Sequence, residues 1–351
     1  MPMKILVGHQ FRSGFLSLLS AGVVFISPGA PFSPATAATL TANRASERVF
    51  SPLFSRPVLA FYYTWYHPDT FCRCQMSDLP VARYDSSDVA TIDRQIRQAA
   101  QAGITGFITS WPGPGNTQDD NLAKLLLRAT VYQQKTGIHF VSSLYLESDA
   151  DAVRNNLAGA LRYAIKHYTA DPHFFHWQGK PVIFIWRPIG NGRTLSTWSA
   201  LRQQVDPGHR LLWLAEGTDT SLLSVFDGLH LFSAAYWGLL DHTIASVDQS
   251  FRTRINAYNS AHRTHKIWIA GVQPGYDDTR VPGRVGTYRV PRNSGTTYRL
   301  SWQGAISSAP DWISVSTFNE WFEGSMIEPS LRYGSLYLNL TRQFSGQWRR
   351  G

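Results

Sequence analysis

The chain has 351 residues, 43% hydrophobic and 13% aromatic, enough to bury a large core and to exclude a disordered chain beyond its first residues. Its formal charge of +9, from 33 Lys and Arg against 24 Asp and Glu, is scattered apart from the terminal pair Arg349-Arg350. No basic run interleaves with aromatics, which excludes nucleic acid as a partner; what remains is a solvated basic surface, with attraction to an acidic polysaccharide or cell envelope as the lesser reading.

Lys4 and Arg12 flank the start of an apolar stretch from Gly14 to Ser27, and Ala35-Thr36-Ala37 has the small-residue spacing of a signal-peptidase site. Residues 1–37 are therefore expected to be a signal peptide, and the product to be secreted or periplasmic. The stretch of about 14 residues falls short of the roughly 20 that a bilayer span needs, so no stable membrane span is expected after cleavage. Cleavage there leaves about 314 residues, a size at which one α/β barrel commonly forms a single domain, expected as a monomer. Residues 38–56 read as an irregular lead-in and 57–351 as the domain. Cys72 and Cys74, separated by Arg73, would close a very small ring, so they read as free thiols in a loop, with a strained, redox-labile bridge as the lesser reading. Two such ligands are too few for a metal site, and no metal or cofactor is expected.

Short β-rich apolar runs alternate with longer periodic segments, the pattern of βαβ units on a parallel sheet. The runs are Val58 to Trp65, Ile104 to Trp111, Ile138 to Glu147, Pro181 to Trp186, Leu211 to Glu216, Gly228 to Trp237, Lys266 to Val272 and Trp312 to Phe318. Between them lie helical patterns such as Asp88 to Ala102, Asn121 to Lys135, Asp149 to His167, Ser246 to His262 and Thr296 to Ser308, with apolar residues three and four apart. Eight strands with intervening helices predict an α/β fold, a single (β/α)8 TIM barrel; an open doubly wound sheet would carry a Gly-rich nucleotide loop after its first strand, and none stands there. The longest loop runs from about Gly275 to Thr296, and a long loop in a compact barrel is more often functional than idle.

In such barrels the chemistry gathers at the C-terminal strand ends. Here those ends carry Tyr62-Tyr63-Thr64-Trp65-Tyr66-His67, Ser110-Trp111, Tyr145 with Glu147, Trp186-Arg187, Glu216, Tyr236-Trp237, Tyr276-Asp277-Asp278 and Asn319-Glu320-Trp321-Phe322-Glu323. Flat rings stack on the apolar faces of sugars while carboxylates and amides bind hydroxyls, so this collection predicts a polysaccharide or oligosaccharide substrate. Cleaving a glycosidic bond needs one protonated and one ionised carboxyl. Glu320 and Glu323, three apart where a strand turns into a loop, supply the pair, and Gly324 lets the backbone turn sharply.

Ordered motifs along most of the chain resemble glycoside hydrolase family 99, the endo-α-mannosidase family. They are Ala60 to Tyr66, Ser110-Trp111-Pro112 through Asp119-Asp120-Asn121, Asp171-Pro172-His173-Phe174, Pro274 to Thr279 and Ser316 to Glu328. The resemblance implies a metal-independent, retaining, endo-acting enzyme whose nucleophile is the substrate's own 2-hydroxyl. Glu320 would deprotonate that hydroxyl to give a 1,2-anhydro sugar, and Glu323 would protonate the departing oxygen and later activate water. It also implies Glu147 as a further active-site glutamate. Tyr62, Tyr63, Trp65, Tyr236 and Tyr276 would be substrate contacts, and Trp111, Asn319 and Trp321, at the ends of strands two and eight, complete the expected contact set. Ser148 stands where the family usually has proline, and Met326 where well-known members tend to have Gln. Alternative readings are a hydrolase of the same architecture acting on another bacterial surface polysaccharide, and a non-catalytic carbohydrate-binding barrel, which a lost carboxylate would signal.

Overall fold

The structure, a computed structural model, describes residues 55–351 except 235, 237 and 239–242. The expected signal peptide, the lead-in up to residue 54 and the Trp237 end of the sixth predicted strand lie outside these residues.

Eight parallel strands form the barrel: β1 (Val58–Tyr62), β2 (Gly106–Trp111), β3 (Val141–Glu147), β4 (Lys180–Trp186), β5 (Leu212–Glu216), β6 (Gly228–His230), β7 (Ile267–Val272) and β8 (Trp312–Val315). Each pairs with its sequence neighbour. β8 returns to β1 through Val58↔Ile313, and β3 meets β4 at Leu144↔Ile183, so the ring closes. All eight predicted strands are present, with ends trimmed. The sixth is the shortest, stopping at His230, and the eighth stops at Val315, before Phe318.

Outer helices follow most strands: α1 (Val89–Gln101), α2 (Thr117–Thr136), α3 (Leu157–His167), α4 (Leu195–Val205), α5 (Ile244–His262), α6 (Thr296–Ser307) and α7 (Leu336–Arg350). α2 starts earlier than its apolar pattern because the Asn116 side chain accepts from Asp119 N; it ends at Gly137, where φ is 73°. The segment predicted as one helix from Asp149 to His167 is instead two, Asp151–Arg154 and α3. The break falls where the Asn156 side chain accepts from Gly159 N and caps a new helix. After β5 only a 3₁₀ segment, Thr220–Ser224, takes the helix position. Among the described residues no helix is long and apolar enough to cross a membrane.

Because side chains alternate along a strand, each strand feeds two cores. Ala60, Tyr62, Phe107, Leu144, Leu146, Ile183 and Ile185 pack in the shell between sheet and helices. Leu59, Phe61, Ile108, Tyr145, Phe184, Leu214 and Trp312 fill the barrel itself. Trp312 closes the lower end, its ring 5.3 Å from Phe175 and 5.1 Å from Trp177. Above it His230 lies among Phe61, Phe184 and Tyr145, and burial lowers its pKa to about 3, so it is neutral.

Cys72 and Cys74 are joined as a disulfide, which corrects the expectation of free thiols. The turn at 73–75 brings their Cα atoms to 5.2 Å, inside the span that a disulfide bridges.

Candidate active site

Strand alternation decides which end residues reach the mouth. On β3, Tyr145 and Glu147 share a face, and Ser110 Oγ from β2 donates to Glu147 Oε1 at 2.7 Å. Burial, then the Glu323 charge, raises Glu147 to about 7; the Ser110 hydrogen bond works against this. Glu216 at the end of β5 is likewise raised to about 7 by burial, opposed by Arg187. Tyr63 follows β1 with its ring 4.6 Å from Trp65. Burial and then the charges of Glu320, Glu147 and Glu323 hold its hydroxyl well above the ordinary tyrosine value, which places Tyr63 among the three carboxylates.

The loop after β8 delivers the central pair. Thr317 Oγ1 accepts from Glu320 N at 2.8 Å, and Glu320 Oε1 accepts from Tyr66 Oη at 3.2 Å and Phe322 N at 3.1 Å. Glu320 is 4% exposed; burial first and the Glu323 charge second push its pKa well up, while Arg284 and the Tyr66 hydrogen bond oppose this. Gly324 has φ 54°, and a Cβ there would come within 2.5 Å of Ser77 Oγ, so glycine is required where the loop folds back.

This loop is braced from behind by Glu328, a buried carboxylate. It accepts from Gln95 Nε2 at 2.8 Å, Tyr84 Oη at 2.9 Å and Trp321 Nε1 at 3.3 Å. Asn319 ties the same loop to β1, its Oδ1 accepting from Tyr63 N and its Nδ2 donating to Tyr63 O, both at 2.8 Å.

The loop after β7 reaches the pair from the other side. It forms a two-residue antiparallel ladder, Tyr276–Asp277 with Arg289–Val290, and Asp277 N donates to Glu323 O at 2.7 Å. Arg284 Nη1 lies 2.9 Å from Glu323 Oε1, 3.2 Å from Asp278 Oδ2 and 3.1 Å from Tyr276 Oη. Tyr276 and Tyr288 stack at 4.4 Å, and Asp278 Oδ1 accepts from Tyr288 N at 2.8 Å.

Of the residues singled out from sequence, the structure brings Glu320, Glu323, Glu147, Tyr63, Trp65 and Tyr276 together. Tyr236 stands on the rim, 52% exposed, its ring 6.4 Å from Tyr288. Four others do not reach this group, a correction to the expected contact set. Tyr62 points into the outer shell and donates to Gln95 Oε1 at 2.5 Å, and Trp111, also in the shell, donates from Nε1 to Asp119 Oδ1 at 2.8 Å. Asn319 and Trp321 are fully buried in the bracing just described. Alternation would have excluded Tyr62 and Trp111, each adjacent to a residue that does face the mouth. Arg284 is the addition: no spacing distinguishes it from its neighbours Arg280 and Arg289, and only the fold of the loop aims it at Glu323.

A buried and a half-buried carboxyl on one loop, a third carboxyl opposite and an aromatic wall form a site suited to acid/base cleavage of a glycosidic bond. The family model described as Glycosyl hydrolase family 99 matches residues 68–340. The chain is 25% identical over 292 residues to glycoprotein endo-alpha-1,2-mannosidase of Mus musculus, covering 75% of this chain and 61% of that protein. It is 31% identical over 281 residues to a glycoprotein endo-alpha-1,2-mannosidase-like protein of Danio rerio, covering 73% of this chain and 60% of that one. The chain thus spans about three-fifths of the length of these relatives. A structure of the GH99 endo-alpha-mannosidase from Bacteroides thetaiotaomicron superposes with a TM-score of 0.68 at 23% identity, covering 84% of this chain and 97% of that one, which shows the shared barrel fold.

Proposed function

The chain belongs to glycosyl hydrolase family 99, and from that premise we propose that it is an endo-acting α-mannosidase that cleaves α-mannan or mannose-rich glycans with retention of configuration. The observation that carries this reading is the pair of buried Glu320 and half-buried Glu323 on the β8 loop, inside the matched family segment. Burial makes ionised Glu320 a stronger proton acceptor than a carboxylate in water, the property needed to take a proton from a sugar hydroxyl.

In the first step Glu320 takes the 2-hydroxyl proton, the 2-oxygen closes on the anomeric carbon, and the glycosidic bond breaks as Glu323 protonates its oxygen. The result is a 1,2-anhydro sugar. In the second step Glu323 takes a proton from water, whose oxygen attacks the anomeric carbon, while Glu320 returns its proton to the 2-oxygen. Tyr63, Trp65 and Tyr276 hold the ring, and Glu147 binds a hydroxyl. The enzyme works as an exported monomer from which residues 1–37 have been removed, a reading supported by the charged start, short apolar stretch and Ala35-Thr36-Ala37.

The test is hydrolysis of α-mannans with the first-formed anomer read by proton NMR, and with Glu320→Gln and Glu323→Gln as controls. A retained anomer and loss of activity in both variants are expected. A first-formed inverted anomer would overturn the anhydro-sugar route, and cleavage of a different α-glycan alone would overturn the mannan assignment while keeping the pair. Sequencing the N-terminus of the exported protein tests cleavage, an intact Met1 counting against it.

A further inference from the structure

This inference rests on the cleavage chemistry proposed for Glu320 and Glu323. Arg284 lies between Asp278 and Tyr288 on the β7 loop, its side chain 12% exposed and its guanidinium bridging Glu323, Asp278 and Tyr276. Glu323 takes this cation on Oε1, while its Oε2 is buried without a hydrogen-bond partner. The two oxygens of one carboxyl thus have different surroundings: one is neutralised by the β7 loop, the other is left for a group the protein does not supply.

We propose that Arg284 is a positioning residue for the pair. It holds Glu323 ionised in the free enzyme through Oε1, leaves the pair's proton on Glu320, and keeps Oε2 of Glu323 open to the glycosidic oxygen.

Two buried carboxyls that interact share their protons as a unit, and a cation against one of them drives the proton to the other. The groups facing the pair are Tyr63 and Tyr66 after β1, Tyr145 and Glu147 on β3, and Tyr276, Asp278, Arg284 and Tyr288 on the β7 loop. Arg284 is the one cation among them. Burial works against its charge, and Glu323, Tyr276 and Asp278 together more than restore it. Burial and the charge of Glu323 together favour the protonated form of Glu320. The free enzyme therefore carries the proton on the carboxyl opposite to the one that must donate it. Turnover needs no proton from outside: as the 2-hydroxyl engages Glu320, one proton passes from Glu320 to Glu323, arriving on the open Oε2 while Oε1 still accepts from the guanidinium.

The experiment titrates the carboxyl carbons of ¹³Cδ-glutamate-labelled protein by NMR without substrate, in wild type, Arg284→Met and Arg284→Lys. Signals are assigned with Glu320→Gln and Glu323→Gln. In wild type Glu320 should be the carboxyl titrating at the higher pH. In Arg284→Met the proton should be shared with Glu323 and the pair's titration should rise by roughly one pH unit, the lower end of the range for losing an adjacent opposite charge. Arg284→Lys keeps the charge and should stay near wild type. On an α-mannan that the wild type cleaves, both limbs of the kcat/KM profile should move up by the same amount in Arg284→Met, whereas a merely structural role would lower the profile without moving it. Glu323 titrating above Glu320 in wild type, or an unchanged titration in Arg284→Met, overturns the proposal. Should Arg284→Met not fold, Arg284→Gln removes the charge with a smaller change in shape. If wild type cleaves no α-mannan, the substrate reading fails, and the titration still decides the role of Arg284.

Discussion

The loops after β8 and β7 both end at Glu323, but they are built differently. Behind the β8 loop stands a buried lattice of side chains, with Glu328 accepting three hydrogen bonds and Asn319 clamping the Tyr63 backbone twice. The β7 loop is held near its ends, by the two-residue ladder, by Asp277 N on Glu323 O and by buried Arg292 on Gly324 O and Met326 O, and farther out by Arg284, while its tip runs out to Val285, 82% exposed between Gly283 and Gly286, both at positive φ. The difference teaches a division of labour. Glu320 and Glu323 ride on the loop braced from behind, where their geometry is set in the free protein, while the cation beside Glu323 comes from the loop with the exposed tip.

The harshest test of the braced loop is to change its chemistry without its shape. Glu320→Gln should lower kcat/KM by about 10²–10⁴-fold, the usual contribution of a general acid or base, with the folded signal in circular dichroism retained. Glu328→Ala attacks the bracing itself. Tyr84, Gln95 and Trp321 would lose a buried acceptor, at a cost of roughly 3 kcal/mol in urea unfolding, and kcat should fall while the pH optimum stays. A variant as stable as wild type would show the β8 loop to be no better held than its neighbour.

These two loops also mark where the sequence could be read and where it could not. The eight strands, and the placing of Glu320 and Glu323 on one loop after the eighth, were legible because apolar runs and strand ends leave a local signature. Tyr62, Trp111, Asn319 and Trp321 were misassigned because an aromatic or amide at a strand end has the same letter whether it turns to the mouth or to the shell. Parity along β1 and β2 separates Tyr62 from Tyr63 and Trp111 from Ser110; for Asn319 and Trp321, beyond the end of β8, only the folded loop does. Arg284 was illegible because its role depends on a loop conformation that no periodicity encodes, and the split at Asn156 because one cap outweighed a continuous apolar pattern.

A smaller effect checks the electrostatics of the mouth. Folded Glu147 titrates at about 7 against its ordinary 4.5, so the folded state binds this proton more tightly than the unfolded state does. The stability this gives is complete below pH 4.5 and is lost as pH rises through about 7. Glu147→Gln removes that slope, so its melting temperature relative to wild type should climb by on the order of a few degrees across this window. A constant difference would show Glu147 to be solvated. The smallest effect is expected at the exposed tip of the β7 loop, where Val285→Ser should change unfolding free energy by no more than about 0.5 kcal/mol. A larger loss would mean that the tip, too, is anchored.

The indole of Trp312, packed against Phe175 and Trp177 at the foot of the barrel, has a bearing on traffic. With the floor stoppered, everything that enters must leave by the door it came in. A polymer reaching Glu320 cannot be threaded through like a bead string; it has to drape over the rim as a hairpin or a tangent, with both of its ends on the same side of the enzyme and both fragments departing into the same solution.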